Sequence, residues 1–181
     1  MTRQKMINAL HFASFVLLPL ASWPVGKSFH LMLSKQIVLY TIGVLALMLW
    51  ITGSFRIPKE ERSASENRLL LLYSLFLIAS IAVAQDKTVA FLGSAARRDG
   101  VLMFFNYIAV YFLARRSTLD EQIVFKGLCV SACLISILAL LQSYQIDPPF
   151  LRLYSESWKG KAFSLMGNPN FLGTFLVLMI P

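Results

Sequence analysis

The chain has 181 residues, of which 57% are hydrophobic and only 14% are charged. So few charged residues cannot surround such an apolar interior with a polar shell, which excludes a water-soluble globular domain. The net charge of +8 does not indicate nucleic-acid binding, because the bases are scattered between apolar runs, as is usual in membrane proteins. We therefore predict an all-α membrane protein with the lipid bilayer as a partner and no nucleic acid.

Apolar runs long enough to cross a bilayer, about 20 residues, recur along the chain. The predicted spans are the run between Lys5 and Lys27, followed by residues 36–55, 69–85, 101–114 and 127–146. The run 101–114 is short and also fits a re-entrant or interfacial helix. A last run begins at Phe171 and stops after 11 residues. The prediction is a polytopic transmembrane helix bundle of about five spans plus the start of a sixth. We expect residues 1–181 to be one membrane-embedded region, the truncated N-terminal part of a larger protein.

The N-terminus resembles a secretory leader, because Arg3 and Lys5 precede the first apolar run. The stretch PLASWPVG, however, has the bulky Trp23 where a small residue would favour cleavage. We therefore expect the first helix to be retained.

Two cysteines, Cys129 and Cys133, are four residues apart and so lie on one face of a predicted helix. No second pair of cysteines or histidines accompanies them in the sequence, so the spacing does not favour a metal site. We interpret both as small packing residues.

The distribution of basic residues bears on orientation, because cytoplasmic loops usually carry an excess of Lys and Arg. With the N-terminus inside, nine of the 17 bases face the cytoplasm: Arg3, Lys5, Arg56, Lys59, Arg62, Arg68, Arg115, Arg116 and Lys126. The other eight are Lys27, Lys35, Lys87, Arg97, Arg98, Arg152, Lys159 and Lys161. The split of nine to eight is nearly even, and the four bases of the charged connector 56–68 are what favours a cytoplasmic N-terminus.

Two predicted loops share one face of the membrane. If residues 101–114 span, loops 86–100 and 147–170 emerge on the same side and bring together six bases: Lys87, Arg97, Arg98, Arg152, Lys159 and Lys161. Guanidinium groups offer paired donors to phosphate oxygens, so an anionic ligand would suit this face. The alternative is that each base is an anchor for lipid head groups. Gly100, after Arg97-Arg98-Asp99, permits a tight entry into the next helix.

The motif Asn168-Pro169-Asn170 precedes the last apolar run. Asparagine is a good N-cap, and proline fits the first helical turn because its missing N–H would have no partner there. This explains the motif as a helix start without any function. A helix N-terminus also attracts anions, and Gly160, Gly167 and Gly173 allow close approach of a ligand or a helix. Both interpretations stay open.

The stretch GKAFSLMGNPNFLGTFLVLMIP, together with an Arg-Asp-Gly segment that enters an earlier helix, resembles the O-antigen ligase and polymerase superfamily. These are polytopic glycosyltransferases of the bacterial envelope. The resemblance covers about the last 25 residues well and residues 84–114 loosely. The earlier helices are similar only as hydrophobic spans.

The resemblance implies a multi-pass enzyme of the bacterial inner membrane. Such an enzyme takes a glycan from an undecaprenyl-pyrophosphate carrier and transfers it to lipid A core or to another glycan unit, without a metal, cofactor or nucleotide sugar. By motif, Arg97 and Arg98 are candidate ligands of the pyrophosphate, and Lys161 stands where the family commonly has arginine. Asn168 and Asn170 complete the candidate substrate-binding residues.

The chain departs from the family in lacking a late external loop that carries another arginine and a histidine proposed as the base. Neither His11 nor His30 can be carried over to that role, and general base catalysis needs a group within reach of the acceptor hydroxyl. We therefore expect the catalytic residues beyond Pro181 and these 181 residues alone to be inactive. A pore would need a second Asn-Pro motif. A small membrane scaffold or transporter piece without a catalytic role remains the alternative.

Overall fold

The computed structural model of the chain describes residues 3–25, 28–29, 31–52, 64–94, 99–146 and 161–180. Across these ranges the α-helices are α1 (Arg3–Phe12), α2 (Leu31–Ile51), α3 (Ala64–Val83), α4 (Lys87–Leu92), α5 (Val101–Arg116), α6 (Glu121–Ser143) and α7 (Pro169–Met179). Pro24–Val25 pairs with Ser28–Phe29 in a short antiparallel bridge. Apart from this bridge, the described part of the chain is helical, as predicted.

Three helices are long and apolar enough to cross a membrane: α2, residues Ser65–Val83 of α3, and α6. They support the prediction of a membrane protein, but five spans are not confirmed. Helix α5 has 16 residues and α7 has 11, both shorter than the length that crosses a bilayer. Helix α2 begins at Leu31, five residues before the predicted start of the second span.

The first predicted span is not a single α-helix. Helix α1 ends at Phe12 and continues as a π-helix over Ala13–Leu17 and a 3-10 helix over Leu18–Leu20. Pro19 gives the physical reason, because proline has no N–H to donate and its ring collides with the carbonyl four residues earlier in a regular α-helix. The backbone therefore changes its hydrogen-bond register before Pro19 and leaves the helix after Leu20.

The helices belong to two compact units. The first unit comprises Met1–His11 and Tyr40–Ser117, and the second comprises Phe12–Leu39 and Thr118–Pro181. That the whole chain is one membrane-embedded region stays a prediction.

In the first unit, the C-terminal half of α2 and helix α5 approach closely at a glycine. A Cβ atom on Gly43 would collide with Oδ1 of the buried Asn106, whose Nδ2 donates to the Leu102 carbonyl at 2.8 Å. Small residues of this kind let transmembrane helices pack backbone to side chain. Elsewhere in this unit Glu66 of α3 accepts from Arg115 of α5 at 2.7 Å and from the Tyr111 hydroxyl at 3.1 Å.

The second unit is organised around one face of α6. Gly127 lies against the π-helical turn, where an added Cβ would come within 2.8 Å of a methyl group of Val16. One turn further along α6, the buried Ser131 hydroxyl donates to the Val16 carbonyl at 2.7 Å. Ile135 and Ala139 continue the same face and are buried with residues near the start of α7. Helix α6 is therefore the support on which the C-terminal segment folds.

Candidate functional site

The candidate residues fall in different parts of the chain. Arg97 and Arg98 lie outside the described residues, as do Arg152 and Lys159. Lys161, Asn168 and Asn170 are described and belong to the second unit. That all the bases share one face of the membrane therefore stays a prediction.

The residues that flank Arg97 and Arg98 are held tightly within the first unit. Asp86 caps the short helix α4, accepting hydrogen bonds from the N–H groups of Thr88 and Val89 at 2.9 and 3.0 Å. Gly100 is buried at the start of α5, and a Cβ there would collide with the backbone of Phe91 and Gly93. Only glycine fits this position, which agrees with the tight helix entry predicted from the sequence.

The Asn168-Pro169-Asn170 motif forms the helix start that its residue types predict. The Asn168 side chain accepts a hydrogen bond from the Asn170 N–H at 2.8 Å, and Pro169 occupies the first turn of α7. Asn170 is exposed, and its carbonyl accepts from the Thr174 hydroxyl at 3.0 Å. The first turn of α7 thus has a cap and an exposed polar side chain beside it.

Just before this cap lies a four-residue segment that is irregular and buried. We call Phe163–Met166 the anchor segment. It contains a 3-10 turn over Ser164–Met166 and is followed by Gly167 in the left-handed conformation, with φ of 72°. Phe163 and Leu165 pack with Leu31, while Met166 packs with Ile135, Ala139 and Leu172. Lys161, two residues ahead of the segment, is exposed.

Gln142 of α6 satisfies the backbone of the anchor segment. Its Oε1 accepts hydrogen bonds from the N–H groups of Phe163 at 3.0 Å and Ser164 at 2.6 Å. The Ser164 hydroxyl in turn donates to the Ile135 carbonyl at 2.7 Å. Gln142 is not predicted from the sequence as a functional residue. The available signal was its place on the face of α6 that also carries Ser131, Ile135 and Ala139, as helical spacing dictates.

Lys35 corrects one expectation from the sequence. The sequence predicts that Lys35 lies in the loop before the second span, which starts at residue 36, but Lys35 lies in the second turn of α2. Its Nζ donates to the carbonyls of Pro19 at 2.6 Å and Ala21 at 3.1 Å. These carbonyls lie where the backbone leaves the 3-10 helix and lack regular helical partners. The positive charge of Lys35 therefore caps a helix end within the second unit.

The two cysteines are free, with Cys129 half-buried and Cys133 exposed. Among the residues that the structure describes, no three His, Cys, Asp or Glu side chains are grouped so that they could hold a metal ion. No metal ligand is assigned to any residue on this basis.

Comparisons of the chain with protein-family models, with curated proteins and with solved structures give no match. The resemblance to O-antigen ligases therefore depends on two stretches of the sequence alone, the C-terminal stretch that contains Asn-Pro-Asn and the earlier Arg-Asp-Gly segment.

Proposed function

We propose that the chain is part of a bacterial inner-membrane enzyme that transfers a glycan from an undecaprenyl-pyrophosphate carrier to an acceptor. The observation that carries this proposal is the Asn168-Pro169-Asn170 motif at the start of α7, with the exposed Lys161 ahead of it. The partial positive charge at a helix N-terminus favours an anion, and Lys161, seven residues before Asn168 in the chain, adds a positive charge. A lipid-linked pyrophosphate is such an anion, and it is the ligand that the sequence resemblance implies.

The proposed residues would act on the leaving group. When an acceptor hydroxyl attacks the first sugar, the bond between that sugar and the pyrophosphate breaks, and negative charge collects on the pyrophosphate oxygens. Arg97 and Arg98 would pair with these oxygens through forked N–H donors, while Lys161 would supply a single positive charge. Groups fixed where charge develops lower the barrier of such a transfer. None of the described residues is assigned as the base.

The proposal includes a topology with five spans and a cytoplasmic N-terminus, in which α5 crosses the membrane despite its length. Under this topology Ser94 and Ser157 face the outside together. Cysteines placed at these two positions should both react with a membrane-impermeant maleimide added to intact cells. Labelling of only one of them would contradict the shared face.

The functional test is the double substitution Arg97→Ala and Arg98→Ala, introduced into the gene at its own locus. We expect glycan transfer to the cell surface to be lost while the amount of protein in the membrane stays unchanged. The matched control is the other adjacent pair, Arg115→Ala and Arg116→Ala, on the opposite predicted side. Unchanged transfer in the first double variant would overturn the proposal and favour a scaffold or transporter piece in which the bases are lipid anchors.

A further inference from the structure

Gln142 stands out among the described residues as a buried polar side chain that a hydrophobic span does not need. Only 4% of its surface is exposed, on a helix that is otherwise apolar enough to cross a membrane. Burial of an amide is unfavourable unless its hydrogen bonds are made. The hydrogen bonds that this side chain accepts therefore offset the cost of its burial.

The amide oxygen of Gln142 accepts hydrogen bonds from the backbone of the anchor segment. Two successive N–H groups, those of Phe163 and Ser164, point at this oxygen from the anchor segment. Ser164 has a φ of 49°, a left-handed conformation that is uncommon for a residue with a side chain. Phe163 is the N-cap and Ser164 the first residue of the 3-10 turn, so neither N–H has a partner within that turn. The Gln142 oxygen thus replaces the partners that an α-helix would have supplied.

The anchor segment connects directly to the candidate ligand-binding residues. The Met166 N–H donates to the Phe163 carbonyl at 3.0 Å, and only Gly167 separates this turn from the cap residue Asn168. On the other side, Leu172 of α7 is buried in the same cluster as Met166. The position of the anchor segment therefore sets the position of Asn168.

We propose that Gln142 is a positioning residue that fixes the anchor segment and so holds the start of α7 in the geometry that binds the carrier pyrophosphate. This inference rests on the proposed function for the identity of the ligand. The role of Gln142 in ordering the segment is independent of that identity. Two measurements can therefore separate the two claims.

The chain offers informative substitutions at this position. Gln142→Met keeps the length of the side chain but removes the oxygen that accepts both N–H groups. Gln142→Glu keeps that acceptor as a neutral carboxylic acid, because burial at this position disfavours the ionised form. Its second oxygen replaces Nε2, which has no hydrogen-bond partner among the described residues. Gln122→Met is the matched control, because Gln122 is an exposed glutamine on the same helix.

The first measurement reports on the segment without any ligand. A single cysteine replaces the buried Met166 in a background that carries Cys129→Ala and Cys133→Ala, and its rate of reaction with a maleimide is followed in detergent micelles. We expect Gln142→Met to accelerate labelling about tenfold or more, because two buried N–H groups left without an acceptor make local opening of the segment easier by roughly the cost of an unmade hydrogen bond. Gln142→Glu and Gln122→Met should label at the unsubstituted rate. Equal rates in all variants would overturn the proposed ordering of the segment.

The second measurement is the binding of undecaprenyl pyrophosphate to the purified chain in lipid nanodiscs. Gln142→Met should weaken binding by about tenfold, because a segment that opens more readily spends less time in the geometry that binds, and Gln142→Glu should restore it. Equal affinity of the unsubstituted chain and Gln142→Met, with the segment loosened, would overturn the link to the ligand. Absence of binding by the unsubstituted chain would overturn the proposed function instead, and the labelling rates would still decide whether Gln142 orders the segment.

Discussion

Helix α3 and the anchor segment are opposite solutions to the same problem, the placement of a polar backbone in apolar surroundings. None of the most apolar 18-residue window of α3 is buried by the rest of the protein, although that window is long enough to span a membrane. The anchor segment is irregular and fully enclosed. A helix satisfies its own N–H and C=O groups and can face lipid, whereas irregular backbone that is shielded from water needs hydrogen-bond partners from the protein. Hydrophobicity therefore predicts which segments can span a membrane. Isolated polar residues within apolar helices, such as Gln142, indicate where a helix packs against irregular backbone.

The largest effect on stability is expected for a phenylalanine of the anchor segment, compared with a phenylalanine of α3. Phe163 is 1% exposed in the anchor segment, and Phe76 of α3 is 77% exposed. Phe163→Ala should lower the free energy of unfolding by about 4 kcal/mol, because it leaves a cavity in a packed core. Phe76→Ala should change it by less than about 0.5 kcal/mol, because it removes few protein contacts. Reversible unfolding in mixed detergent micelles measures both, and similar losses would show that α3 is packed against protein.

A smaller effect is expected where helices approach through a glycine. Gly43→Val should destabilise the first unit by about 3 kcal/mol, since the added side chain collides with Asn106. Gly173→Val of α7 is the control, because a Cβ there has no neighbour within 4 Å among the described residues. Thermal unfolding in detergent compares the two. Equal melting temperatures would contradict the close approach of α2 and α5.

Lys35 tests whether irregular backbone elsewhere depends on a polar partner in the same way. Lys35→Met removes the donor to the Pro19 and Ala21 carbonyls and should cost about 2 kcal/mol, the range for buried groups left unpaired. Lys126→Met, at an exposed position of α6, should cost less than about 0.5 kcal/mol. Unfolding of the two variants side by side provides the comparison. If Lys35→Met left the free energy of unfolding unchanged, the Pro19 and Ala21 carbonyls would have other hydrogen-bond partners in the variant.

The smallest expected effect is at the ion pair between Glu66 and Arg115, whose side chains are 48% and 21% exposed. Glu66→Gln should lower stability by at most about 0.5 kcal/mol, because water screens a pair of this kind. The difference from the unsubstituted chain should shrink further in about 1 M salt, where charges interact only over about 3 Å. A loss that is larger and independent of salt would place this pair in a more enclosed environment.

The features that could be predicted from the sequence are those that local residue types determine. Long apolar runs indicated α2, α3 and α6, since the length of hydrocarbon to be crossed is fixed. Asn168 and Pro169 indicated a helix start, because cap chemistry acts within one turn. These predictions required no knowledge of distant contacts.

The remaining features depend on residues far apart in the chain. The roles of Lys35 and Gln142 come from carbonyl and N–H groups at least 14 residues away, which hydropathy does not register. The break in the first span required weighing Pro19 against an apolar run that would otherwise favour one helix. Apolar content did not predict the backbone conformation where a single polar side chain, such as Lys35 or Gln142, bonds to irregular backbone.

The most direct test of the central claim is whether the purified chain in nanodiscs distinguishes undecaprenyl pyrophosphate from undecaprenol, which has the same lipid tail without the charged head. Our account predicts saturable binding of the pyrophosphate lipid, weak association of the alcohol, and loss of this preference in the double variant Arg97→Ala and Arg98→Ala. Equal association of both lipids with the unsubstituted chain would contradict it and would leave the bases as ordinary membrane anchors.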